Sequence, residues 1–199
     1  SEDAKIAVVH NGIIENYLDI KEMLIREGYV FHSETDTETI AQLIDFYYKK
    51  TGDFLDAVFA AVNKIDGAYA IGVLCKDCPD TIVGIRKAAP LIVGKGDGEN
   101  FLASDIPAIL KRTKKVYFLN DNEIAVLTKD SVNIFDSKRN KVDREIYNVT
   151  WDISAAEKEG YDHFMLKEIH EQPRIIKETL DHRLKNNGTE LDTDFLNLT

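Results

Sequence analysis

Cysteine and proline are scarce in this sequence, cations are outnumbered, and no long apolar run occurs; each shortage excludes a class of protein. Two cysteines in 199 residues are too few for a disulfide framework. Four prolines and 11 glycines beside 44% hydrophobic residues exclude a collagenous or low-complexity chain and are too apolar a mixture for intrinsic disorder. Charged residues make up 30% and are spread evenly, leaving no stretch suited to a membrane span. Lys and Arg total 25 against 35 Asp and Glu, and the resulting net charge of -10 argues against a nucleic-acid partner. No charged-then-apolar signal peptide stands at the front, so a reducing cytoplasm is the expected compartment. A starting Met is missing too: the chain opens with Ser1-Glu2-Asp3, and its first Met is Met23. What remains is a soluble globular protein with one large domain or two small ones.

The apolar run Ile6 to Val9 reads as a buried strand that ends in a turn at His10-Asn11-Gly12. Apolar residues from Tyr17 to Glu27 share one helical face, and Gly28 stops that helix. Tyr29 to His32 reads as a short strand. The capping box Thr35-x-x-Glu38 introduces a helix over 39–49, and Asp53 caps another over 54–65. From Gly67 the texture becomes β-rich, with strands predicted at 68–75, 81–85, 91–93, 100–103, 116–119, 123–127 and 132–135. Helices covering such a meander make an α+β fold with antiparallel sheets. Beyond Trp151 the pattern turns helical over 163–184, where Pro173 starts a new helix or kinks an old one, and the polar tail 186–199 reads as loose.

Several motifs have plain readings. Cys75-Lys76-Asp77-Cys78 has redox or zinc spacing, but it lies between predicted strands and runs into Pro79-Asp80, so a hairpin tip is the simpler reading. No second CxxC or HxxxH completes a zinc site, and the five histidines, His10, His32, His163, His170 and His182, show no metal spacing. Lys95-Gly96-Asp97-Gly98-Glu99 lacks the ending of a phosphate loop and reads as a β-turn. Ser1 has the chemistry of an N-terminal nucleophile, but it lies in a polar stretch only four residues ahead of the strand. Asn11 and Gly12 are either a turn or an oxyanion hole, in which an amide side chain and a backbone N–H converge on one developing negative oxygen. Asp36 is either a helix cap or the anion that holds a substrate ammonium.

Two segments decide more together than apart. His10-Asn11-Gly12-Ile13-Ile14-Glu15-Asn16-Tyr17 and, one helix later, Phe31-x-Ser33-Glu34-Thr35-Asp36-Thr37-Glu38 strongly resemble class II glutamine amidotransferases. The resemblance continues through Gly67-Ala68-Tyr69-Ala70, Ala89-Pro90-Leu91, Gly98 to Asp105 and Ser131 to Asp136. It ends with His163-Phe164-Met165-x-Lys167-Glu168-Ile169-x-Glu171-Gln172-Pro173. The Ile-Ile-Glu-Asn and Glu-Gln-Pro segments favour the branch that aminates fructose-6-phosphate to glucosamine-6-phosphate. The family implies an N-terminal-nucleophile αββα sandwich in which a terminal Cys, with its own α-amine as base, attacks the glutamine carboxamide. Carried over, Asn11 would donate from its side chain and Gly12 from its backbone to the oxyanion, and Asp36 would hold the α-ammonium of glutamine, with His10 as a lesser, orienting neighbour. No cofactor or metal is implied.

The departure is at the front. The family's Cys and an Arg-Trp-x-Thr-His type segment stand upstream of His-Asn-Gly, and neither is in this chain; Cys75 and Cys78 fall outside every matched motif. The expectation is a partial glutaminase domain over 1–152, its sandwich incomplete because the first strands are missing, and a connector with the start of a sugar-isomerase domain over 153–199. On that reading the chain alone is inactive, its substrate is glutamine, fructose-6-phosphate belongs to a downstream domain, and the exposed strand edge makes a homo-oligomer. Two alternatives stand beside it: a non-catalytic binding or assembly module with this fold, and a glutaminase domain whose acceptor is phosphoribosyl pyrophosphate or aspartate.

Overall fold

The computed structural model describes residues 1, 3–150, 159–181, 183–185 and 190–191, in two compact units, Ser1–Thr150 and Trp151–Thr199. Strand β1 spans Ile6–Ile14 and does not stop at His10. Apolar alternation resumes at Ile14, and nine consecutive residues pair antiparallel with β2, Gly67–Cys75, which places Asn11 opposite Ala70 and Gly12 opposite Tyr69. The expected Asn-Gly turn is therefore strand: a continuous ladder outweighs the turn preference of one dipeptide.

Helix α1, Tyr17–Arg26, buries Ile20 and Leu24 and ends before Gly28, whose φ of 93° is open to glycine. Helix α2, Asp36–Thr51, is capped by Thr35, whose side chain accepts from the Glu38 N–H, and closes on Gly52 in the left-handed region. Helix α3, Phe54–Val62, is capped by Asp53. Residues 29–32 are not a strand. Their backbone is taken up by α2 side chains: Gln42 donates to the Val30 carbonyl and Glu38 accepts from the His32 N–H.

The rest of the unit is antiparallel sheet. Strands β3 (Ile82–Lys87), β4 (Ile92–Lys95), β5 (Asn100–Ala103), β6 (Lys115–Phe118), β7 (Glu123–Leu127), β8 (Val132–Phe135), β9 (Lys141–Val142) and β10 (Tyr147–Asn148) follow in turn. A six-stranded sheet has the order β1-β2-β3-β7-β8-β9 and a four-stranded sheet the order β10-β6-β4-β5. One face of the larger sheet, with Ile6, Ile14, Tyr69, Ile71, Val73, Val83 and Ile85, packs under the three helices. The other face meets the smaller sheet through Ala70, Ala125, Leu127 and Ile134 against Leu91 and Val93. Leu102 of β5 inserts over Gly72 and Gly84, where a Cβ on Gly84 would lie 2.5 Å from it. Beyond the smaller sheet, a 3₁₀ turn, Ile106–Ala108, leads to Ile109, which packs over Gly94. The α+β class with antiparallel sheets stands as expected.

The second unit contains α4, Phe164–Asp181, which runs through Pro173 as one helix, so Pro173 does not start a new one. Leu184–Lys185 (β11) pairs with Glu190–Leu191 (β12). The rest of the tail expected to be loose, 186–189 and 192–199, lies outside the described residues.

Candidate functional site

The open edge of β1 is the place where the implied site residues meet. In an antiparallel edge strand, alternate N–H groups point away from the only partner. Ile14 does so, donating to Asp36 Oδ2 at 2.9 Å, and Ile6 does so at the other end, donating to Ser1 Oγ at 3.1 Å. The same alternation directs the N–H groups of Val8, His10 and Gly12 outward along the open edge between them. Gly12 has φ +126°, and a Cβ there would stand 2.0 Å from the Ala68 carbonyl oxygen, so only glycine brings the two backbones this close.

Asn11 has the opposite parity to Gly12 and faces the smaller sheet. It lines a small open groove of about 130 Å3 with Val9, Ala70, Leu91, Leu102 and Ser104. Its amide thus stands on one side of the strand, the Gly12 N–H on the edge, and Asp36 on the side where the helices lie.

Asp36 is not the cap of its helix; Thr35 is. Glu38 completes the turn by reaching back, accepting from the His32 N–H at 2.8 Å, the Ser33 N–H at 2.6 Å and Ser33 Oγ at 2.5 Å. Partial burial raises the Glu38 carboxyl, but those hydrogen bonds outweigh it and hold the group below its ordinary value. The expected capping box forms on one side only, because Glu38 bonds residues 32 and 33 in place of Thr35. Asp36 is left with its carboxylate on β1: one oxygen bonds the Ile14 N–H, and the other lies 3.6 Å from His10 Nδ1.

His10 is the hidden member of the group. Its side chain is 2% exposed, and Nδ1 lies 3.2 Å from Thr37 Oγ1. Burial lowers its pKa while Asp36 pulls it upward, and Nε2 is buried without a hydrogen-bond partner. The imidazole is therefore packed as a neutral spacer between β1 and the start of α2.

Two contributors carried no assigned role in the sequence. Asn16 donates from Nδ2 to the Lys64 carbonyl at 2.8 Å and accepts the Asp66 N–H at 3.0 Å, tying the end of β1 to the loop before β2. Ser104 lines the Asn11 groove. Both lie inside the family-like segments, but nothing in their spacing separates a fastener or a wall from a neighbour.

Other nucleophile candidates are far away. Ser1 bonds Ile6, and Cys75 pairs with Ile6 in the ladder. Five strand residues, about 17 Å, separate Ile6 from Asn11. Cys75 and Cys78 close the turn between β2 and β3, where the Cys78 N–H donates to the Cys75 carbonyl at 3.0 Å. The Gly-rich 95–99 stretch is the β4–β5 turn, closed by the Gly96 N–H on Glu99 at 3.0 Å.

Comparison with known proteins bears on family and fold. A family model described as a glutamine amidotransferase domain matches residues 1–111. Glutamine–fructose-6-phosphate aminotransferase (isomerizing) of Caldanaerobacter subterraneus subsp. tengcongensis is 57% identical over 199 residues, all of this chain and 32% of that protein. The proteins of that name from Clostridium tetani and Aquifex aeolicus are 57% and 54% identical over 92% and 90% of this chain, and 30% of each relative. The chain thus spans about a third of the length of these relatives. Among solved structures, glutamine phosphoribosylpyrophosphate amidotransferase from B. subtilis, complexed with ADP and GMP, superposes with a TM-score of 0.57. At 20% identity over 71% of this chain and 31% of that one, it shows a shared fold.

Proposed function

The chain belongs to the glutamine amidotransferase family, and from that premise we propose that it supplies the oxyanion and ammonium side of a glutaminase site. The enzyme in question hydrolyses glutamine and passes the ammonia to fructose-6-phosphate, an acceptor taken from the 57%-identical relatives. The observation that carries the reading is the edge of β1, where Asn11, the Gly12 N–H and Asp36 surround one short stretch of backbone. A carboxamide lying along that edge would place its oxygen between the Asn11 amide and the Gly12 N–H. As a nucleophile attacks the carbonyl, charge develops on that oxygen, and two fixed donors stabilise it more than they stabilise the neutral substrate. Asp36, already oriented by Ile14, would hold the α-ammonium through a charge-assisted hydrogen bond.

Neither cysteine of the chain and not Ser1 can serve as nucleophile here, since all three are at the other end of β1. We assign that role to a cysteine outside these 199 residues, and by the same reading 1–152 is glutaminase domain and 153–199 leads into a sugar-isomerase domain. No described helix is long and apolar enough to cross a membrane, and two free thiols suit a reducing compartment, for which we propose the cytoplasm.

The test is glutamate release from glutamine. The 199-residue chain should release none; a chain extended at its N-terminus to a terminal cysteine should turn over. In the extended chain, Asn11→Ala should lower kcat by about 100- to 1000-fold, and Asp36→Asn should act mainly through KM for glutamine. Turnover by the 199 residues alone, or full activity in the Asn11 variant, would overturn the assignment.

A further inference from the structure

The function leaves one chemical group unused, the thiol pair at the β2–β3 turn. Cys75 is 3% exposed and belongs to the core beneath the helices; Cys78 is half-buried and packs against that core from the turn. The two are three residues apart in a turn closed by the Cys78 N–H on the Cys75 carbonyl, and Cys78 packs against the core cluster that contains Cys75. A β-turn holds its end residues within about 7 Å, which overlaps the range of about 4.4–6.8 Å that a disulfide bridges.

The turn is also held from outside. The Lys76 N–H donates to the Lys5 carbonyl at 2.8 Å, Lys5 Nζ bonds Asp77 Oδ2 at 3.0 Å, and the Tyr48 hydroxyl bonds the same oxygen at 3.2 Å. Residues between the two cysteines are thus pinned to Lys5, just before β1, and to Tyr48 of α2. A turn serving only to reverse the chain does not need a thiol at both of its ends.

We propose that Cys75 and Cys78 are a reversible dithiol–disulfide site, oxidised by a low-molecular-weight disulfide without unfolding of the chain. Cys78, the more accessible thiol, loses its proton and attacks one sulfur of the incoming disulfide, forming a mixed disulfide and releasing the first small thiol. Cys75 then loses its proton and attacks Cys78 Sγ, forming the internal bond and releasing the second. Two electrons pass from the protein sulfurs to the reagent, which leaves as two thiols. Burial, together with Cys75 and Asp77, raises the Cys78 thiol above its ordinary value, so the first step is slow at neutral pH and quickens as pH rises.

The experiment treats the folded chain with glutathione disulfide and follows it by intact mass and peptide mapping. The expected product has lost two hydrogens, carries a Cys75–Cys78 bond, has released two glutathiones per chain, and returns to the dithiol with dithiothreitol. Cys75→Val, which keeps the core filled, should stop at a stable glutathione adduct on Cys78, and Cys75→Ser should do the same. Cys78→Ser should take up no glutathione while folded. A wild-type chain that stops at the adduct, reacts first at Cys75, or reacts only in urea would overturn the proposal.

Discussion

Gly12 is where the strand's stability and the proposed chemistry meet. Strand alternation points its N–H to the open edge, and at its φ of +126° a Cβ would collide with the Ala68 carbonyl. Gly12→Ala should therefore destabilise the chain by roughly 3–5 kcal/mol, since the obstacle is ladder backbone that cannot swing aside. Denaturant unfolding of the variant checks this; a loss below about 1 kcal/mol would mean that the strand re-registers without cost. His10 makes a different demand on the same strand. Burial lowers its pKa below the ordinary 6.5, so the unfolded chain takes up a proton before the folded one does. Stability contributed by neutral His10 is present above pH 6.5 and is lost as pH falls below it. His10→Gln should flatten that part of the stability curve, measured from pH 8 to pH 5 by thermal unfolding; an unchanged slope would assign the loss to other groups.

The elements show how such residues are aimed. Asn16 follows β1 and joins it to the loop before β2 by one donated and one accepted backbone hydrogen bond. Replacing it with alanine leaves a carbonyl and an N–H without that partner, and Asn16→Ala should cost about 1–3 kcal/mol. On the proposed reading, in an N-terminally extended, active chain the same variant should lower kcat more than it raises KM, because it loosens the strand that carries the proposed oxyanion donors. A KM effect alone would place Asn16 outside that path.

Much of this scale was legible beforehand. Strands 100–103, 123–127 and 132–135 have the boundaries expected of them from short apolar runs set between turn residues, and the Thr35 and Asp53 caps are where local chemistry put them. The misreadings share a cause: Asn11-Gly12 looked like a turn and 29–32 like a strand because both judgements used local preference. The outcome was set by partners far along the chain, Ala68 to Ala70 for the first and Gln42 and Glu38 for the second. The candidate residues Asn11, Gly12 and Asp36 came from motif resemblance, and their placement around one stretch of β1 could be read only from the packed strand. His10 between Asp36 and Thr37 could be seen only once the strand and helix were packed.

For the whole molecule, the edge of β1 is also a liability. The strand reads Ile-Ala-Val-Val-His-Asn-Gly-Ile-Ile, with no Lys, Arg, Asp or Glu to discourage a second strand. Val9 and Ile13 on its sandwich-facing side are 72% and 67% exposed. Ser1 occupies the Ile6 end and Asp36 the Ile14 end, leaving the middle of the edge open. The simplest partner is a second copy, its β1 antiparallel to the first about a two-fold axis, so that each Val9 and Ile13 meets apolar surface. A net charge of -10 on each copy opposes that approach, and salt screens it. The 199-residue chain should therefore associate with rising concentration, and more so in 0.5 M than in 0.05 M NaCl, by sedimentation velocity. Val9→Lys should keep it monomeric at little cost to folding, since the side chain is already largely in solvent. Extension by the proposed cysteine-bearing segment should have the same effect if that segment pairs with β1. A chain that stays monomeric in high salt at every concentration would show that the edge is protected without a partner.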